Sequence, residues 1–174
     1  MEVIKLNIER DFDKFLDLSA GVYVLLTGYL ISARDQAHKR LVEDIKNNRN
    51  INFEIKNSFI YYMGPTPSKE NQVIGSAGPT TSSRMDRFAP FLYDMGVRAT
   101  IGKGKRSIEV VEAIKKNNGL YLITIGGAGA FLSKKIKESK VIMYEDLGPE
   151  AIRLLYVEDF PVIVAIDSKG DSIW

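Results

Sequence analysis

A chain of 174 residues with 45% hydrophobic and 26% charged content has the composition of one soluble globular domain, residues 1–174, large enough to bury a real core. A net charge of +2 on scattered lysines gives no basis for a nucleic-acid partner, and no apolar run approaches the roughly 20 residues that span a bilayer. The absence of cysteine excludes disulfides and thiolate ligation of zinc or an iron–sulfur cluster by this chain, and a lone histidine, His38, makes a poor start for a His-rich metal site.

The opening Met-Glu-Val-Ile-Lys lacks the basic and apolar regions of a secretory signal, so a cytoplasmic protein is expected. Residues 3–6 read as a short strand and residues 11–18 as an amphipathic helix with Phe12, Phe15 and Leu16 inward. After Gly21 the apolar run 22–26 predicts a buried strand, Gly28 a turn or bulge, and residues 29–31 a second short strand. Ser32 can cap a helix from about residue 34 to 47, with Ala37, Leu41 and Ile45 on one face. Arg34 in the first turn opposes the helix dipole by roughly 0.3–1 kcal/mol. Either Asp35 offsets that charge, or Arg34 has a task such as binding a carboxylate. His38, one turn on, reads as a packed or hydrogen-bonding residue rather than a catalyst. Residues 47–50 form a polar connection, 59–62 a strand, and Gly64-Pro65-Thr66-Pro67 a stiff turn suited to a loop beside a site.

Residues 73–86, Val-Ile-Gly-Ser-Ala-Gly-Pro-Thr-Thr-Ser-Ser-Arg-Met-Asp, read as a strand that ends in a tight turn and opens a helix. Gly78 permits close backbone approach or an unusual φ, and Pro79 fits a turn or first helical position. Thr80, Thr81, Ser82 and Ser83 can cap the helix and leave free N–H groups for an anion. Arg84, four residues past Thr80, would share its helical face and offers a fork that suits a carboxylate. An ordinary capped helix with a solvated arginine fits the same spacing. The helix should run on through residues 85–95, with Phe88, Phe91, Leu92 and Met95 buried, a kink or restart at Pro90, and Gly96 as its stop.

Residues 98–101 predict a strand, followed by Gly102-Lys103-Gly104-Lys105. A Walker A loop would need Gly at Val97 and Ser or Thr at Gly104, and the dinucleotide fingerprint would need Gly at Ser107, so both fail. Lys103 between glycines is either a solvated turn lysine or one delivered to a small anion. A helix over 107–117 stopped by Gly119, a buried strand over 120–125, and a helix opened by the glycine run 126–130 and continuing to 139 follow. A strand over 141–144, a helix over 149–155, a last strand over 160–166 and a turn over 167–170 complete the chain. Strands alternating with helices predict an α/β fold with a mainly parallel central sheet, and the early short strands suggest a second, antiparallel layer.

Several of these segments also resemble those of a known family. Gly-Ser-Ala-Gly-Pro-Thr-Thr-Ser-Ser-Arg-Met-Asp is similar to the signature of the β subunit, or C-terminal domain, of the iron–sulfur hydro-lyases, class I fumarase and L-tartrate dehydratase. Ser32-Ala33-Arg34-Asp35-Gln36-Ala37-His38-Lys39-Arg40 resembles the family's T-A-R-D-x-A-H-K-R segment, Ile101-Gly102-Lys103-Gly104 its I-G-K-G, and Glu145-Asp146-Leu147-Gly148-Pro149-Glu150-Ala151 its E-D-L-G-x-E-A. Val157-Glu158-Asp159-Phe160-Pro161, with Asp167 and Gly170, completes the order over nearly the whole chain. Two positions depart from the commoner pattern: Ser32 stands for Thr, and Ser83 for Gly. Both leave Arg34, Thr80 and Arg84 in register.

The resemblance implies a swivelling β/β/α three-layer domain and a reversible addition of water to a carbon–carbon double bond between carboxylates. It implies that Arg34, Arg84 and Lys103 bind the carboxylates and hydroxyl of a dicarboxylate substrate, that Thr80 abstracts the proton, and that Gly78, Pro79, Thr81 and Gly102 support the turns. It further implies a [4Fe–4S] cluster, which a chain without cysteine cannot hold, so the cluster is expected on a partner α subunit with three cysteine ligands in a hetero-oligomer such as α2β2. Fumarate hydratase is the leading expectation, tartrate dehydratase the alternative, and a non-catalytic module for small anions a third.

Overall fold

The computed structural model describes residues 2–174. Seven strands, β1 (Val3–Asn7), β2 (Tyr23–Ser32), β3 (Phe59–Tyr61), β4 (Ala99–Gly102), β5 (Leu120–Ile123), β6 (Ile136–Met143) and β7 (Ile152–Ile166), form one sheet in the order β1-β2-β3-β4-β5-β7-β6. The first five pair in parallel along that order, and β7 runs antiparallel to β2, β5 and β6. Because β2 also pairs with β7, the ladder β2–β3–β4–β5–β7 returns to its start and the sheet curls on itself.

Alternation along the strands sorts apolar side chains to two faces. One face gathers Leu26 and Leu30, Phe59 and Tyr61, Ile101, Leu122, Phe160 and Val162 into a core closed by Phe15 and Leu18. The other presents Ile31, Ile60, Tyr121 and Ala165 to helices α1 (Asp35–Lys46), α2 (Ala89–Asp94) and α3 (Ile108–Asn117). The result is a mixed α/β fold whose sheet is mostly parallel, as the alternating pattern predicts. The antiparallel part comes from the end of the chain, β6 and β7, and not from the early strands. Among the described residues no helix is long and apolar enough to cross a membrane.

Several local expectations are corrected. Residues 22–26 and 29–31 belong to the single ten-residue β2, with a register shift at Gly28, since a bulge bends a strand without ending it. Ser32 lies inside that strand, and Arg34 occupies the N-cap position of α1. Phe12–Asp17 is a 3₁₀ turn that buries Phe15 and leaves Leu16 exposed. No strand forms at Val73 and Ile74; the chain there is irregular, and helical backbone begins only with a 3₁₀ turn at Ser82–Met85. Pro90 marks a restart, at the beginning of α2, and Met95 is exposed. Asn118, in the left-handed region, ends α3 ahead of Gly119. The short helix α4 (Gly129–Ser133) stops before β6, and the helix expected over 149–155 does not form: a 3₁₀ turn at Glu145–Glu150 leads straight into β7.

Candidate functional site

Strands β2 to β5 run parallel, so their carboxyl ends share one edge of the sheet, the edge where α/β sheets present ligand sites. Arg34 follows β2, Gly64 follows β3, Lys103 follows β4 and Gly126 follows β5.

The predicted signature lies across this edge as a strap. Ala77 donates its N–H to the Gly129 carbonyl (3.1 Å) and accepts from the Tyr61 hydroxyl (2.5 Å). Thr80 N–H donates to the Tyr62 carbonyl (2.7 Å), tying the strap to the end of β3. Thr81 bridges Lys103, and Ser82 N–H donates to the Lys103 carbonyl (3.0 Å), tying it to the end of β4. Close approach requires glycine at 102, where a Cβ would collide with the Ser82 side chain and press on Tyr62. The Tyr121 hydroxyl donates to the Gly104 carbonyl (2.7 Å) and lies 2.8 Å from Ser82 Oγ. Asp86 closes the strap, accepting from Arg106 Nε (2.7 Å) and Ser107 N–H (2.8 Å).

These ties bring the sequence-predicted residues to one rim. Thr80 is half-buried and its hydroxyl has no hydrogen-bond partner among the described residues. Lys103 is exposed, with its side chain running beside Gly126. Arg84 donates from Nε to Asp35 Oδ2 (2.9 Å), with Nη2 in ion-pair contact with the same oxygen at 2.9 Å, which links the strap to the start of α1. Arg34 Nε stands 4.0 Å from Asp35 Oδ1 and 3.9 Å from Glu150 Oε1. Gly64 makes room for it: a Cβ there would come within 2.7 Å of Arg34 Cδ. Arg34, Arg84 and the Thr80 and Lys103 backbones are thus joined by a continuous chain of contacts, but Thr80 and Arg84 do not share a helical face, since the backbone between them is extended before it turns. A Cβ at Gly78 would meet the Gly129 backbone only at ordinary contact distance, 3.5 Å, and Pro79 is buried. A cleft of about 550 Å³ lined by Thr66, Gly75, Ser76, Ala130 and Lys137 adjoins the start of the strap and contains none of the four predicted residues.

His38 is fully buried, its Nδ1 2.8 Å from the Arg34 carbonyl and its ring edge-on to Tyr62. Burial pushes it down to about 4, against the pull of the bond to Arg34. It is a neutral packing residue that holds the carbonyl of Arg34, as its place in the sequence suggests. Sequence reasoning missed Arg106, whose side chain is wholly buried between the Tyr62 and Tyr121 rings and donates to Asp86, Thr100 and Tyr62. It also missed the link that Asp35 makes to Arg84. The only signal for either was the presence of Asp35 and Asp86 inside the family-like segments.

Among the described residues no group of three His, Cys, Asp or Glu side chains could hold a metal ion, and the chain has no thiolate, so its own residues do not fit an iron–sulfur cluster. What they offer is cations, a free hydroxyl and backbone at an open rim. Compared with known proteins, residues 1–174 match the model of the family described as Fumarase C-terminus. The chain belongs to that family. It is 38% identical to "Fumarate hydratase 2" of Leishmania major over 98% of this chain and 31% of that protein. It is 36% identical to "Fumarate hydratase class I, aerobic" of Escherichia coli (strain K12), over 99% of this chain and 33% of that protein. With "Putative L(+)-tartrate dehydratase subunit beta" of Methanocaldococcus jannaschii it shares 38% identity over 90% of this chain and 84% of that one. The chain therefore spans about a third of the fumarate hydratases it matches and most of the subunit.

Proposed function

We propose that this chain is the β subunit of a [4Fe–4S]-dependent hydro-lyase, a fumarate hydratase that interconverts fumarate and water with L-malate. The observation that carries the reading is the strap, which gathers Arg34, Thr80, Arg84 and Lys103, spread over 70 residues of sequence, on one edge of the sheet.

Three physical requirements of the reaction divide between two polypeptides. Carboxylates need fixed donors, which Arg34, Arg84 and Lys103 supply as charge-assisted hydrogen bonds. Negative charge that develops beside a carboxylate when the carbon loses its proton needs those same donors. Thr80 takes that proton, and the surrounding cations favour the oxyanion that its hydroxyl must become. Activation of the departing hydroxyl falls outside this chain; a cluster on a partner α subunit with three cysteine ligands would supply Lewis-acid chemistry there. The relative named as a subunit, and the third of the fumarate hydratases that this chain spans, support assembly with such a partner in a hetero-oligomer such as α2β2.

That relative also favours a second reading, in which the substrate is L(+)-tartrate and the products are oxaloacetate and water. The experiment that tests both is anaerobic co-expression with an α subunit, followed by assays on fumarate, malate and both tartrate enantiomers. Turnover of fumarate and malate is expected. Turnover of tartrate alone moves the assignment to the second reading, and turnover of none of the four overturns both.

A further inference from the structure

Asp35 opens α1 and stands between two arginines that reach it from different parts of the chain. Its Oδ2 accepts the Nε proton of Arg84 and lies in ion-pair contact with Nη2, while Oδ1 faces Arg34 Nε at 4.0 Å. Both Oδ1 and Nε are buried atoms without a hydrogen-bond partner, so this side of the cluster is close but unfinished. Glu150 flanks Arg34 beyond, and the four formal charges cancel.

The geometry of the Arg84 pair matters more than its energy. Arg84 is half-exposed, and an ion pair of that kind adds little to stability. A guanidinium has five N–H groups, and Asp35 takes the Nε–H while meeting Nη2 only in ion-pair contact. The Nη1–Nη2 edge keeps the donors for a second, bidentate carboxylate. Without a carboxylate between them, two cations on one rim repel, and Arg84, the more exposed of the two, is free to swing into solvent.

We propose that Asp35 is a positioning residue: it fixes the Arg84 fork beside Arg34 so that a substrate carboxylate meets the two cations already arranged. This rests on the substrate-binding role of Arg84 proposed above. The competing explanation is that Asp35 merely favours the N-terminus of α1 as any acid in a first turn does. That role moves stability and leaves substrate affinity untouched.

The test uses the anaerobic complex with an α subunit and compares Asp35→Asn, Asp35→Glu, Arg84→Ala and the Asp35→Asn/Arg84→Ala double variant. Asp35→Asn is expected to raise KM for fumarate and malate about tenfold with kcat within about threefold, the signature of lost carboxylate binding. Asp35→Glu should recover part of that loss, and the double variant should fall well short of the product of the single effects. An unchanged KM in Asp35→Asn, or single effects that multiply in full, overturns the proposal. Should Arg84→Ala alone leave KM unchanged, the substrate-binding reading fails first. The Arg84 Nε–H signal of ¹⁵N-labelled chain then decides about Asp35 by itself. Exchange with water about tenfold faster in Asp35→Asn than in the parent supports the restraint, and equal rates overturn it.

Discussion

A threonine hydroxyl removes a proton from carbon only where its own proton has left and the remaining oxyanion is held by nearby positive charge. Thr80, the proposed base, has a backbone fixed to Tyr62 and a hydroxyl unclaimed among the described residues, and Lys103 is bridged through the backbone to the next residue. Replacing Thr80 by alanine in the assembled enzyme should lower kcat by roughly 100-fold or more, the usual range for a lost general base, and leave KM close to its parent value. Near-normal turnover would remove Thr80 from the role. His38 makes a different prediction, on stability. Its pKa is about 4 in the folded chain against the ordinary 6.5 of an exposed imidazole, so the unfolded chain binds the proton first as pH falls. Its contribution is complete above about pH 6.5 and is lost between there and about pH 4, a change of about 3 kcal/mol at roughly 1.4 per pH unit. Unfolding free energies in urea should show that slope in the parent and not in His38→Gln; parallel pH curves would contradict it.

At the scale of the element, the strap depends on one buried ion pair. Arg106 has a side chain with no exposure and Asp86 one with 15%, so deleting the carboxylate strands a charge in the interior. Asp86→Ala should destabilise the chain by about 3–5 kcal/mol, read as a lower thermal midpoint, and a shift under about 2 °C would contradict the pairing. The pair joins residues 20 apart through space, which is why no local pattern announced it. The link from Asp35 to Arg84 spans 49 residues and was hidden for the same reason. Elements with a strong period and a proper start were legible: α3 opens on Ser107, whose side chain accepts from Val110, and α1 carries Ala37 and Leu41 inward. The misread elements are those where partners overrode local preference. The helix read as continuing to 139 carries the charge of a helix surface, yet from Ile136 the chain pairs on β7 as an edge strand, where lysines guard an open side. The helix read over 149–155 gives way to strand where β2 and β6 supply partners on both sides of residues 153–155. The four candidate residues were legible through family-like motifs, and what the motifs left out was the set of acids and tyrosines that holds them.

At the scale of the molecule, the chain presents a rim with cationic donors and a free hydroxyl, and under the proposed function a departing hydroxyl would be activated from a second polypeptide. Relatives about three times its length carry the matching region within one longer polypeptide, and a relative of similar length is named as a subunit. The central claim is that the catalytic site is shared between this chain and another. The most direct measurement is the rate of malate formation from fumarate under strict anaerobiosis, for this chain alone, for an α subunit alone, and for the two together. Turnover in the mixture, with each component alone at the blank rate, is the predicted result. An α subunit that turns over as fast by itself as in the mixture would contradict it.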